Sequence, residues 1–214
     1  MKKHRDLYIS LSLMAAFVLW TVCVCFVDVQ AIGPCESSVG LSAVNLFVHK
    51  LTGVHMFLYY VTDWLSLVPI FIVLGFALLG VFQWIKRKEL CKVDFNILVL
   101  GVFYFALVTL YILFEAVTVN YRPILIDGAL ETSYPSSTTL LVIGVMFTAK
   151  MQFNGRIKNS ALKASVSFLI TAFTIFMVAG RLLSGVHWFT DIVGGSLLGA
   201  GLVMMYRYFV NSNE

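Results

Sequence analysis

Arg181, His187 and Asp191 stand within eleven positions of one another, in the stretch GRLLSGVHWFTDIVGG that runs from Gly180 to Gly195. His187 and Asp191 are four apart, so on a helix they share a face. A carboxylate there accepts the proton of one imidazole nitrogen, which fixes the tautomer and leaves the other nitrogen free to attack. Arg181 lies upstream across a turn that contains Ser184 and Gly185, and folds back over whatever the histidine attacks. Guanidinium groups hold phosphate oxygens through two parallel hydrogen bonds. Arg122, followed by Pro123, supplies a second such fork. Two arginines with a His–Asp pair make a phosphoryl-transfer site, in which the arginines hold the equatorial oxygens and histidine is the nucleophile. Each residue taken singly has a plainer use. The arginines serve as snorkelling anchors, His187 as a packing residue, and Asp191 as the cap of a helix start beside Thr190. A metal ion fits poorly, because only one histidine and one carboxylate are close in sequence and two arginines repel a cation. No metal and no cofactor are expected.

Membrane helices must position these groups. The chain has 214 residues, 60% hydrophobic and 12% charged, with a mean hydropathy of +0.91. A soluble domain carries roughly 25% charged residues. The composition is that of an integral membrane protein. The net charge of +4 does not point to nucleic acid, because the basic residues sit at the ends of apolar segments, as topology signals do. A membrane span takes about 20 apolar residues. Six segments qualify, at about Tyr8–Val27, Trp64–Trp84, Asn96–Val119, Ser137–Met151, Ala161–Ala179 and Ile192–Phe209. The expectation is an all-α, six-transmembrane-helix bundle forming a single domain over 1–214. The first run is longer than the apolar core of a signal peptide and reads as a retained anchor.

Six spans put both termini on one side. The connections there hold Lys2, Lys3, Arg5, Lys86, Arg87, Lys88, Lys92, Lys150, Arg156, Lys158, Lys163 and Arg207, which is 12 of the 15 Lys and Arg. The positive-inside bias then places both termini in the cytoplasm and the three polar stretches 115–128, 133–141 and 180–195 on the extracytoplasmic face of the cell membrane. Within 31–63 an amphipathic helix in the outer interface and an ordered loop packed on the bundle are equally compatible with the pattern. Pro69 is expected to kink the second span. Asp63, just before it, reads as a solvated helix end, with contact to the site as the alternative. Gly195 and Gly199 give the last helix a small face for close packing, within the chain or across a homodimer. The four cysteines have neither disulfide nor zinc spacing and read as small apolar filler.

Three motifs in chain order resemble the type 2 phosphatidic acid phosphatase superfamily, in its small bacterial membrane branch. That family carries K-x6-R-P, P-S-G-H and S-R-x5-H-x3-D. Here the third reads Gly180-Arg181-x5-His187-x3-Asp191, the first Glu115-x6-Arg122-Pro123, and the second Pro135-Ser136-Ser137-Thr138. The resemblance implies a phosphohistidine mechanism. His187 attacks phosphorus, Asp191 orients it, and Arg122 and Arg181 clamp the phosphate. Ser136 and the amides near Ser137 add hydrogen bonds at a helix start, where the dipole favours anions. Two departures stand out. The family's lysine is Glu115, and its general-acid histidine is Thr138, a group worth roughly 10²–10⁴ in rate. Glu115 either pairs with an arginine or is protonated by burial. A substrate with a good leaving group, such as undecaprenyl diphosphate or a similar polyprenyl diphosphate, needs less acid help than a lipid phosphate monoester. The alternative is a hydrolysis-impaired member that binds lipid phosphates or transfers a lipid-linked phosphate group.

Overall fold

The computed structural model describes residues 2–212, and the side chains of Lys2 and Lys3, counted above among the topology charges, lie outside its described part. Eight α-helices account for most of it: α1 (Lys2–Phe26), α2 (Ser42–Thr52), α3 (Met56–Leu65), α4 (Leu67–Arg87), α5 (Phe95–Ala116), α6 (Ser137–Arg156), α7 (Ser160–Leu183) and α8 (Phe189–Asn211). A two-stranded ribbon, β1 (Gln30–Ala31) with β2 (Ser38–Val39), is antiparallel and sits in the connection after α1.

Among the described residues five helices are long and apolar enough to cross a membrane: His4–Phe26, Met56–Arg87 (α3 with α4), Phe95–Ala116, Ser160–Leu183 and Phe189–Asn211. This is a multi-pass membrane protein, and the composition explains why. The expected fourth span is α6, which matches the others in length but not in apolarity. It holds Thr138, Thr139, Thr148, Gln152 and Lys150. It lies inside the bundle against α4, α5, α7 and α8. Its first thirteen residues are almost wholly buried. A helix surrounded by protein rather than lipid satisfies its polar side chains with neighbours. Thr148 meets the Tyr104 hydroxyl of α5 as well as the carbonyl one turn back in its own helix, and Gln152 bonds Tyr206 and the main chain of Asn96. The lipid-facing helices α1, α4 and α5 carry the exposed leucines, valines and phenylalanines instead.

Helix α8 runs along α1 and α6. Small residues allow this close approach. A Cβ added at Gly195 would lie 2.8 Å from the Ser136 carbonyl, and one at Gly199 3.0 Å from Ile143. The glycine face is therefore filled within the chain. Pro69 has no amide to bond Leu65, and the long second helix breaks at Ser66 between α3 and α4, one turn earlier. The residues of 31–63 form the ribbon, α2 and most of α3.

All connections that carry the polar motifs emerge at one end of the bundle. The opposite end is clamped by ion pairs between elements: Arg87 and Arg156 with Asp94 at 2.8 and 3.8 Å, and Arg207 with the buried Asp6 at 3.1 Å.

Candidate active site

The α7–α8 connection is short, and a left-handed glycine turn within it aims His187. Helix α7 continues past Ala179 to Leu183, so Arg181 sits in its last helical turn. Gly185 has φ +69, and a Cβ there would lie 2.0 Å from the Gly53 carbonyl. Only glycine fits both the left-handed backbone and the close approach. The α2–α3 corner is thus pressed onto the site loop, and the Ser184 carbonyl accepts from the His55 amide at 2.9 Å.

Helix α8 begins at Phe189, so His187 and Asp191 do not share a helical face. They meet because Asp191 reaches back over the helix start. Its Oδ2 accepts from the Trp188 amide at 2.9 Å and stands 3.5 Å from His187 Nδ1. Cap and imidazole partner are one carboxylate. The Asn120 and Ser133 side chains lie beside it. Asn45, fully buried on α2, locks the preceding residue by accepting from the Thr190 amide at 3.2 Å and donating to its hydroxyl at 3.0 Å.

Arg122 comes from a hairpin, residues 120–133. Asp127 and Gly128 both take positive φ, 48° and 78°, at its tip, the signature of a two-residue turn. Tyr121 pairs with Thr132 and Ile126 with Ala129. Arg122 still faces Glu131, but residues 123–125 then face only Leu130, so the ladder bulges directly after Arg122, from Pro123. Bulges re-aim side chains, and proline, lacking a donor, belongs where the ladder is interrupted. The Arg122 amide still donates to the Glu131 carbonyl at 3.0 Å, and its Nε lies 2.9 Å from Glu131 Oε2. Its Nη1 lies 3.3 Å from His187 Nε2.

Arg181 is 3% exposed. Its Nη2 donates to Thr138 Oγ1 at 2.6 Å and to Asp63 Oδ1 at 3.2 Å. Its Nε and Nη1 have no hydrogen-bond partner. The Tyr59 ring of α3 lies 5.1 Å from the Arg181 guanidinium and 6.0 Å from that of Arg122, so one aromatic ring serves both cations. The two arginines line a cavity of about 660 Å³ together with Ser137, Thr138, Glu115, Glu131 and Asp63. His187 lies in a small adjoining cleft whose walls include Glu115, Ser137 and Tyr111.

Burial, and then the charges of Arg122 and Arg181, hold the His187 imidazole well below its ordinary value of 6.5. It is neutral at pH 7. Arg122 donates to Nε2, which leaves the ring proton on Nδ1 facing Asp191. That is the tautomer a nucleophilic Nε2 requires.

The structure thus brings Arg122, Arg181, His187, Asp191, Ser137, Thr138 and Glu115 to one end of the bundle. Ser136 is set apart. Its hydroxyl caps α6 by accepting from the Thr139 amide at 3.4 Å, its own amide donates to the Asp191 carbonyl at 3.0 Å, and it lines neither cavity. Glu115 accepts from the Thr132 hydroxyl at 3.3 Å. The arginines take other carboxylates. Sequence reasoning passed over Glu131, Tyr59 and Asn45, and took Asp63 for a solvated end. The Asp127-Gly128 pair was the one available signal, since it marks a hairpin that returns Glu131 to Arg122.

A family model described as the PAP2 superfamily matches residues 102–214. No curated protein matches the chain. Among solved structures, the chain is similar to the first transmembrane PAP2 type phosphatidylglycerolphosphate phosphatase from Bacillus subtilis. The TM-score is 0.63 and the identity 19%, over 97% of this chain and 98% of that one. That likeness spans the whole bundle, and the family model takes in both arginines, the histidine and the aspartate: the chain belongs to the PAP2 superfamily.

Proposed function

We propose that this protein is a membrane phosphatase that hydrolyses a lipid phosphate or polyprenyl diphosphate through a phosphohistidine on His187. The single observation that carries the reading is the Arg122 guanidinium 3.3 Å from Nε2 of a buried, neutral His187. A phosphoryl group entering there exchanges the Arg122–Nε2 hydrogen bond for contacts of its oxygens with both guanidiniums. The Nε2 lone pair then forms the N–P bond, and the bond from phosphorus to the leaving oxygen breaks with its electrons on that oxygen. Asp191 stabilises the cationic ring through Nδ1–H. In the second step a water oxygen bonds to phosphorus and the N–P bond breaks. Inorganic phosphate departs, the Nε2 lone pair is restored, and one water proton passes to solvent.

The Thr138 hydroxyl is committed to Arg181 and supplies no strong acid. This favours a leaving group that departs as an anion unaided, as the phosphate monoester of a polyprenyl diphosphate does. The same observation supports a second reading, in which the site binds lipid phosphates or passes a phosphate group between lipids with little hydrolysis.

In the topology we propose, α6 completes six spans of a single domain. Both termini lie in the cytoplasm, α2 rests in the outer interface, and the site opens on the extracytoplasmic side. The charge bias of the connections supports this, as does the gathering of all polar motifs at one bundle end. The test of function is phosphate release by purified protein in detergent from a polyprenyl diphosphate and from phosphatidic acid. Release that His187→Ala abolishes is the expected result. Release unchanged in that variant overturns the mechanism, and lipid-to-lipid transfer without release establishes the second reading.

A further inference from the structure

The charge lining the site cavity is unusual for a pocket that grips phosphate. Three carboxylates, Asp63, Glu115 and Glu131, face two guanidiniums. Asp63 pairs with Arg181 at 3.2 Å and Glu131 with Arg122 at 2.9 Å. Glu115 is left over. Among the described residues it accepts a hydrogen bond from the Thr132 hydroxyl at 3.3 Å and forms no ion pair. One turn earlier on α5 stands Tyr111, on the same helical face. Tyr111 lines both the cavity and the His187 cleft beside Glu115. On the other wall Arg181, 97% buried by its 3% exposure, keeps two N–H-bearing nitrogens without partners. Arg181 thus keeps donors free for an anion beyond Asp63, and Glu115 has no cation among the described residues.

From this we infer that the cavity binds a zwitterionic lipid phosphate: the phosphate at Arg181 and Arg122, and an ammonium group of the same molecule at Glu115 and Tyr111. An aromatic ring and a carboxylate together recognise organic ammonium ions, the ring through its quadrupole and the carboxylate through charge. A metal ion is a poorer occupant, because no cluster of three His, Cys, Asp or Glu side chains forms a donor set among the described residues. A purely anionic headgroup leaves Glu115 facing like charge. The inference rests on the phosphatase reading for its chemistry, but the binding it asserts is measurable without turnover.

The test compares two long-chain alkyl phosphomonoesters of equal length, one with an amine on the second carbon and one with a hydroxyl there. Detergent-solubilised protein is assayed for phosphate release and, separately, for ligand-induced shift of its unfolding temperature. The expected preference for the amine is about tenfold in kcat/KM, with a larger thermal shift. Glu115→Gln abolishes the preference, Glu115→Asp keeps it, and Glu115→Lys reverses it. Equal thermal shifts for the two compounds, or a preference that survives Glu115→Gln, overturn the inference. If neither compound releases phosphate while the amine still binds more tightly in a Glu115-dependent way, the subsite stands and the phosphatase reading falls.

Discussion

Asp191 does two things with one oxygen: its Oδ2 accepts from the Trp188 amide at 2.9 Å and faces His187 Nδ1 at 3.5 Å. The start of α8 and the orientation of the His187 ring are therefore one structural feature. A substitution at Asp191 has a stability component and a chemical component. Loss of a helix-start cap costs typically ~1 kcal/mol, whereas loss of the imidazole's partner is felt in the reaction.

Asp191→Asn is expected to lower turnover by roughly 10²–10⁴-fold, in the range for loss of a group that assists proton or charge movement. Its unfolding temperature should fall only modestly. His187→Ala keeps the cap and should lose all turnover. A parallel fall of activity and stability in Asp191→Asn, with no excess in activity, would refute a chemical role for the carboxylate.

The acid limb of the pH–rate profile should lie below 6.5, because burial and the two arginines hold His187 below that value. An unfolded chain takes up a proton at His187 near 6.5, while the folded site resists it. Stability is therefore present above that pH and is lost as pH falls through it. Arg122→Gln removes one cation and should move the acid limb upward toward 6.5. A profile of kcat/KM against pH, measured on wild type and variant, decides the point. A limb that stays put in the variant contradicts the electrostatic account.

Thr138→Val leaves Arg181 Nη2 without its 2.6 Å partner in a buried position. The expected cost is about 1–3 kcal/mol of stability, read from denaturation in detergent, with weaker phosphate binding. Thr138→His places an ionisable donor at the same spot. It should speed hydrolysis of an alkyl phosphomonoester more than that of a diphosphate. Equal effects on the two substrates would show that leaving-group protonation is not what the site lacks.

Gly185→Ala combines an unfavourable φ of +69 with a 2.0 Å approach to the Gly53 carbonyl. Loss of at least about 2 kcal/mol is expected, with the His187 loop displaced and activity lost. Wild-type melting and turnover in this variant would mean that the α2–α3 corner is not clamped on the loop.

Much of this arrangement was legible in the residues. The apolar runs located all the long helices, because a lipid-exposed helix must be apolar along its length. The bounds fell short at both ends of the bundle, over residues 2–7 of α1, 152–156 of α6, 180–183 of α7 and 189–191 of α8, where polar residues such as Arg5, Arg156, Arg181 and Asp191 are nonetheless helical. Helix α6 was the least apolar of the six segments, since burial against protein relaxes the demand that lipid imposes. The spacing of Arg181, His187 and Asp191 identified the reactive group but described it as a helix face. The real cause is a helix start that folds back on the residue before it.

Composition and spacing alone determined that this chain lives in a membrane, that its polar motifs gather at one bundle end, and that His187 and Asp191 lie side by side. These are local properties, set by hydropathy along the chain and by separations of a few residues. The partners of the arginines were decided only by the tertiary structure. Asp63 reaches Arg181 across 118 residues of chain, and Glu131 reaches Arg122 across a bulged hairpin. Charges pair with whatever the fold brings within a few ångströms, and that proximity has no signature in sequence. For the same reason Glu115 emerged as the carboxylate without a cation only once the other two had been assigned theirs.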